Sequence, residues 1–242
     1  MKKLALAAAL SVAFAGAASA ADMPARTYSK APAPIVEVWN WTGFYIGGQV
    51  GGAWSDHGWD NVSLTNEPVG HTASSVAGGG HIGYNWQFNQ IVFGVEAEAN
   101  WTNLRGSSIS VVNPAVTYST SIDWYATVVG RLGFAFGRAM VYGTGGVAFT
   151  DVETRGVNGV IDSFANSSQR TGWTAGVGFA YQITPNWIAG VDYKHLQFDK
   201  YNTTGITNTL LIPYTQTGID TKIDQVTARI SYKFGGPVIA KY

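Results

Sequence analysis

The stretch VFGVEAEANW, residues 92–101, carries two glutamates in an otherwise apolar run. Glu96 and Glu98 are two apart, so on a β-strand both point to one face. Val95, Ala97, Ala99 and Trp101 point to the other. Either the apolar face meets a core and the acids face water, or it meets lipid and the acids face an interior. That choice decides the fold.

The same period of two recurs in eight runs: 43–54, 76–88, 91 to about 102, 122–136, 139–150, 172–183, 187–198 and 224–234. In GFYIGGQVGGAW (43–54), Phe44, Ile46, Val50 and Trp54 share one parity and Gln49 takes the other. In IDWYATVVGRLGFAF (122–136), Ile122, Trp124, Ala126, Val128, Leu132 and Phe134 alternate with Asp123, Tyr125, Thr127, Val129 and Arg131. In WIAGVDYKHLQF (187–198), Asp192 and Lys194 oppose Val191 and Tyr193. In DQVTARISYKF (224–234), Arg229 and Lys233 oppose Val226, Ile230 and Phe234. Residues 89–90, 137–138 and 184–186 read as tight turns. Polar segments near 55–75, 103–121, 151–171 and 199–223 read as long loops. Eight antiparallel strands with short turns at one end and long loops at the other is the plan of an outer-membrane barrel.

The ends agree with export. Lys2 and Lys3 precede an apolar run from Leu4 to about Ala18, and Ala18-Ser19-Ala20 has the form of a cleavage site. Residues 1–20 therefore read as a secretory signal peptide. Cleavage would leave 242 − 20 = 222 residues with 13 basic and 15 acidic side chains, a formal charge of −2. Residues 21–42, with Pro24, Pro32 and Pro34, read as an extended periplasmic segment, and residues 235–242 as a C-terminal tail. The barrel occupies 43–234. No cysteine is present, which removes disulfides, thiolate nucleophiles and Cys-based zinc sites. No basic run or charge surplus points to a nucleic acid.

A soluble barrel alternates too, with its apolar face inward. Three features favour the membrane. Phe44 and Trp54 lie ten residues apart on the apolar parity, as do Trp124 and Phe134. Ten tilted strand residues climb roughly 25 Å, the height of the apolar band between aromatic girdles. Trp101 and Trp173 extend the outer girdle, and Tyr181, Trp187 and Phe234 the inner one. Second, the polar parity is too sparsely charged for a water-facing surface. Its acids Glu96, Glu98, Asp123 and Asp192 match its bases Arg131, Lys194, Arg229 and Lys233 four to four. Third, the signal peptide and the loop asymmetry agree. A lipid-facing Arg or Lys at mid-membrane would cost about 2–4 kcal/mol, so these charges face the lumen.

Counted from the short-turn end, Gln49, Glu96, Arg131, Asp192 and Arg229 all fall five residues up, about 12 Å. Glu98 and Lys194 sit one inward rung higher. The spacing predicts a lumen closed by a network of Glu96, Glu98, Arg131, Asp192, Lys194 and Arg229. The alternative is several local pairs with water between them.

Other signals carry less. GGGHIG (78–83) matches G-x-G-x-x-G, but it lies inside a strand and another strand follows, so it reads as close backbone packing. GTGG (143–146) reads the same way. His57, His71, His81 and His195 have no metal-ligand spacing. A catalytic arrangement would have to bring His195 to a loop serine such as Ser167. No cofactor is implied.

WTGFYIGGQVGGAW, GVEAEANW, VVGRLGFAF, YGTGGVAF, GWTAGVGFAYQITPNWIAGVDYKHLQF and ARISYKFGGPV, in this order, cover all eight runs. The chain resembles the small β-barrel outer-membrane proteins of alphaproteobacteria, labelled porin-family or outer membrane immunogenic proteins. The resemblance implies an abundant surface-exposed envelope protein, monomeric or loosely associated. It implies insertion by the outer-membrane assembly machinery, and no catalytic residues. Such barrels end in an aromatic residue; Phe234 and Tyr242 both qualify. The expected function is a structural envelope barrel set in lipid and lipopolysaccharide, its loops open to an unknown extracellular partner. The alternatives are a narrow diffusion pore, or adhesion and host recognition through the loops.

Overall fold

The computed structural model describes residues 39–62, 67–110, 114–158, 162–206 and 213–235. Eight strands follow in chain order: β1 Gly43–Val62, β2 Glu67–Phe88, β3 Ile91–Ile109, β4 Val116–Phe136, β5 Ala139–Asn158, β6 Asp162–Gln182, β7 Trp187–Ile206 and β8 Pro213–Lys233. Each pairs antiparallel with its neighbours, and β1 pairs β8, so the sheet closes into a barrel without edges. The signal peptide, most of the 21–42 segment and Tyr242 lie outside the described residues.

Local chemistry sets the tight turns. Asn89 takes a left-handed φ of 55° and Gly137 one of 66°, the conformation that Asn and Gly adopt most readily. At the third turn Asn186 accepts from the Lys233 amide at 2.7 Å and donates its side-chain amide to the Lys233 and Gly235 carbonyls, fastening the turn to the end of β8. The Phe234 amide donates to the Phe44 carbonyl at 2.8 Å, where the last strand meets the first.

The strands are longer than the sequence reading allowed. The segments near 55–75, 103–121, 151–171 and 199–223 are for the most part strand, 19 to 22 residues per element, rather than long loops. In these segments the alternation persists with its polarity inverted. Between the girdles, outward positions are apolar and inward ones polar. Above Trp54 and Trp101 the reverse holds: Glu153, Arg155 and Lys222 face out, while Leu104, Val152 and Ile223 are buried. A segment rich in Ser, Thr and Gly with a polar outer face reads as loop unless its inner apolar set is noticed.

One strand changes face. The alternation in the sequence predicts Ile122 towards lipid and Asp123 towards the lumen, but Ile122 is buried in the barrel and Asp123 is exposed. The register slips between Trp101 and Leu104 against β4 and between Ser121 and Tyr125 against β5. A bulge turns side chains over because the strand period is two. Below it Tyr125, Thr127, Val129 and Arg131 point inward; above it Tyr118, Thr120 and Ile122 do.

GGGHIG lies within β2 and GTGG within β5. A Cβ on Gly79 would overlap the Ala99 carbonyl and Asn100, so close backbone packing accounts for that position.

Candidate functional site

β3 settles which way the opening stretch faces. Val95 is 53% exposed and Trp101 66%, whereas Glu96 is 2% exposed and Glu98 4%. The acids enter a lumen that eight strands leave just wide enough for side chains to fill.

Glu96 sits at the centre of it. One carboxylate oxygen accepts from Arg131 at 2.6 Å, from Arg229 at 2.6 Å and from the Tyr45 hydroxyl at 2.9 Å. The other accepts from Arg229 at 3.2 Å and Lys194 at 3.5 Å. Lys194 also bonds Glu98, whose second oxygen takes Gln225 at 3.0 Å and Asn100 at 2.5 Å. Arg229 reaches on to Asp192, which the Tyr142 hydroxyl also donates to. Arg131 stacks on the Tyr142 ring at 4.1 Å. The structure thus brings Glu96, Glu98, Arg131, Asp192, Lys194 and Arg229 into one buried cluster with three charges of each sign. Gln49, on the same rung as Arg229, bonds Asn100 at 2.8 Å and His81 at 2.8 Å, and His81 continues to Ser231 at 2.7 Å.

Glycines make the room. A Cβ on Gly178 would overlap Asp192 and the Tyr142 ring, and one on Gly83 would overlap the Tyr45 hydroxyl. The tyrosines were not singled out in the sequence, although Tyr45 lies on the parity of Gln49 and Tyr125 on that of Arg131.

Two apolar layers flank the charges. Towards the far end lie Leu104, Ile122, Tyr125, Val152, Leu196, Phe198 and Ile223, with small alanines between them. Towards the tight turns lies Trp41, fully buried among Val92, Ala135, Met140, Tyr142, Ala180 and Ile188. Its amide donates to Gln87 at 2.7 Å, and Lys233 and Gln182 both donate to the Asn40 carbonyl. Arg138 covers the Trp39 ring at 4.2 Å. Residues 39–42, read as the end of an extended segment, cross the mouth of the barrel. Sequence periodicity offered no signal for this, because the contact is made by a residue outside any run.

The girdle residues Phe44, Trp54, Trp101, Trp124, Phe134, Trp173, Tyr181, Trp187 and Phe234 all point outward and are exposed. At the tight-turn end Phe44 meets Phe234 at 5.5 Å and Trp187 meets Tyr232 at 5.3 Å. Trp54 and Asp224 are register partners at the far belt, and Asp224 accepts from Tyr193 at 2.6 Å and contacts His195 at 2.8 Å. An apolar outer band between two aromatic belts, with polarity inverting beyond the far one, is the surface of a bilayer-spanning barrel.

A model of the outer membrane protein beta-barrel domain matches residues 5–234. The chain belongs to this family. A 31 kDa outer-membrane immunogenic protein of Brucella melitensis is 33% identical over 91% of this chain and 95% of its own length. A 22 kDa outer membrane protein of Rhizobium leguminosarum bv. viciae is 30% identical over 69% of this chain and 68% of its own. The barrel of OprG, an outer membrane protein of Pseudomonas aeruginosa, matches with a TM-score of 0.51 at 16% identity, covering 81% of this chain and 97% of that one. The protein is thus an outer-membrane β-barrel of this family, with its tight turns on the periplasmic side.

His195 and Ser167 do not come together. His195 is the register partner of Ala175, eight residues along β6 from Ser167, and Ser167 donates to Asp151 at 2.8 Å. Among the described residues no three of His, Cys, Asp and Glu are grouped to hold a metal ion.

Proposed function

We propose that this protein is a structural barrel of the outer membrane, closed to solute flow, whose far strand ends are its working surface. The observation that carries this reading is triple closure of the lumen: Trp41 at the periplasmic mouth, the six-charge cluster at mid-height and the apolar layer of Leu104, Ile122, Leu196 and Phe198 above it. A water-filled pore needs a continuous polar path, and an apolar constriction stops ions by excluding water. Its partners are then the lipid and lipopolysaccharide around it, the assembly machinery that inserts it, and whatever meets its far end. The name "immunogenic" borne by the Brucella relative supports a surface that is exposed outside the cell. Catalysis forms no part of this reading, since His195 and Ser167 each have other partners. Planar-bilayer recording of the purified mature chain tests it. The expected trace is flat at voltages where porins conduct; a steady large conductance would overturn closure in favour of a diffusion pore.

A further inference from the structure

Just beyond the far aromatic belt, the outer faces of β3, β4 and β5 form a cleft of about 320 Å³. Two register rows cross it, Arg105–Ser121–Glu153 and Ser107–Ser119–Arg155. Trp101 and Trp124, register partners, lie directly below. The bulges beneath turn Asp123 and Trp124 outward together, so the belt runs into the floor of the cleft. Arg105 is four residues beyond Trp101, roughly 10 Å higher on a tilted strand. Headgroups occupy roughly the first 5–8 Å outside the hydrocarbon, so an arginine side chain there reaches through that layer.

The two guanidinium groups are accessible and weakly committed. Arg105 stands 3.9 Å from Asp123, both largely exposed. Arg155 donates through Nε and Nη2 to one oxygen of Glu153 at 2.8 and 2.6 Å, leaving its Nη1 side open to a second acceptor. Exposed pairs of this kind contribute little to stability and yield to a stronger anion. A guanidinium matches a phosphate with two parallel hydrogen bonds, and the Ser107 hydroxyl in the cleft supplies a further donor.

We propose that this cleft holds the phosphate of an outer-leaflet glycolipid on Arg105 and Arg155, with the acyl chains lying against Trp101 and Trp124. The cleft faces away from the lumen, so the proposal stands apart from the closed-lumen reading and is tested separately.

The test is native mass spectrometry of the full mature chain refolded in detergent. It is titrated with bisphosphorylated lipid A, with the same lipid dephosphorylated, and with inorganic phosphate as competitor. The double variant R105Q/R155Q is expected to bind lipid A at least ~10-fold more weakly than wild type, and so is the dephosphorylated lipid to wild type. E153Q frees Arg155 and is expected to bind roughly threefold more tightly. Equal binding by the double variant, or of the dephosphorylated lipid, overturns the proposal. Displacement of lipid A by an equimolar amount of inorganic phosphate overturns the lipid as the source of the phosphate. Heat-modifiable gel mobility reports folding; should the double variant fail to fold, the dephosphorylated lipid and E153Q still decide.

Discussion

Arg229 and Glu96 face each other across the lumen from strands that are not neighbours, their groups joined by hydrogen bonds of 2.6 and 3.2 Å. Glu96 shares that carboxylate with Arg131 and Lys194, and Arg229 extends to Asp192. Removing the shared acid leaves Arg131 without an ion-pair partner among the described residues, whereas removing Arg131 leaves each acid of the cluster still paired with Arg229 or Lys194.

That asymmetry orders two mutations. Glu96→Ala leaves three buried cations against two acids and should lower stability by about 3–5 kcal/mol. Arg131→Ala leaves Glu96 with Arg229, Lys194 and Tyr45 and should cost less. Urea unfolding in micelles, followed by heat-modifiable mobility, gives the order; a larger loss for Arg131→Ala would contradict the central place of Glu96. Neither variant should conduct, because the apolar layer above the charges is untouched.

The periplasmic seal can be probed by thiol chemistry, since the chain has no native cysteine. Ser231 is buried in the lumen above Trp41. A Ser231→Cys variant should react slowly with a water-soluble maleimide. Adding Trp41→Ala should speed the reaction at least ~10-fold, as a large buried anchor worth about 3–5 kcal/mol is lost. Equal rates would mean that residues 39–42 do not seal the mouth.

Two glycine substitutions differ in sign of space. Gly178→Ala drives a methyl into Asp192 and Tyr142 and should destabilise by about 1–3 kcal/mol. Gly145→Ala adds a methyl on the lipid face, where the nearest atom is 3.9 Å away, and should change the unfolding midpoint little. Equal effects would remove the argument that glycine makes room for the tyrosine–carboxylate pair.

Acid should loosen the far end. His57, above the membrane band, is buried beside His71, and burial first, then the neighbouring imidazole, pushes it from 6.5 down to about 3. Between those values the unfolded chain binds a proton that the folded chain refuses, so stability falls as pH falls from 6.5 towards 3. His57→Gln, keeping a polar group near Ser55 and Thr221, should flatten that part of the stability profile. A profile of unchanged slope would assign the acid sensitivity elsewhere.

The strand count, the tight turns and the outward direction of the apolar parity are all legible along the chain. A period of two is a local property, and charges too few for a water-facing surface leave only lipid outside. VFGVEAEANW posed the choice, and the girdle spacing and sparse charge of the other runs answered it: two acids on one parity cannot face hydrocarbon, and Trp101 on the other marks the belt. The six lumen charges were legible for the same reason, each lying a fixed number of residues from a turn.

The rest follows from closure of the barrel. Which base meets which acid depends on how strands distant in sequence face each other across the closed barrel, as Glu96 and Arg229 do. The far strand extensions were hidden because their inner apolar set, Leu104, Val152 and Ile223, becomes a core only when all eight strands close around it. The bulge that exposes Asp123 and buries Ile122 follows from pairing with both neighbours. Trp41 lies outside every periodic run, and its place in the lumen follows from a cavity that the closed barrel creates.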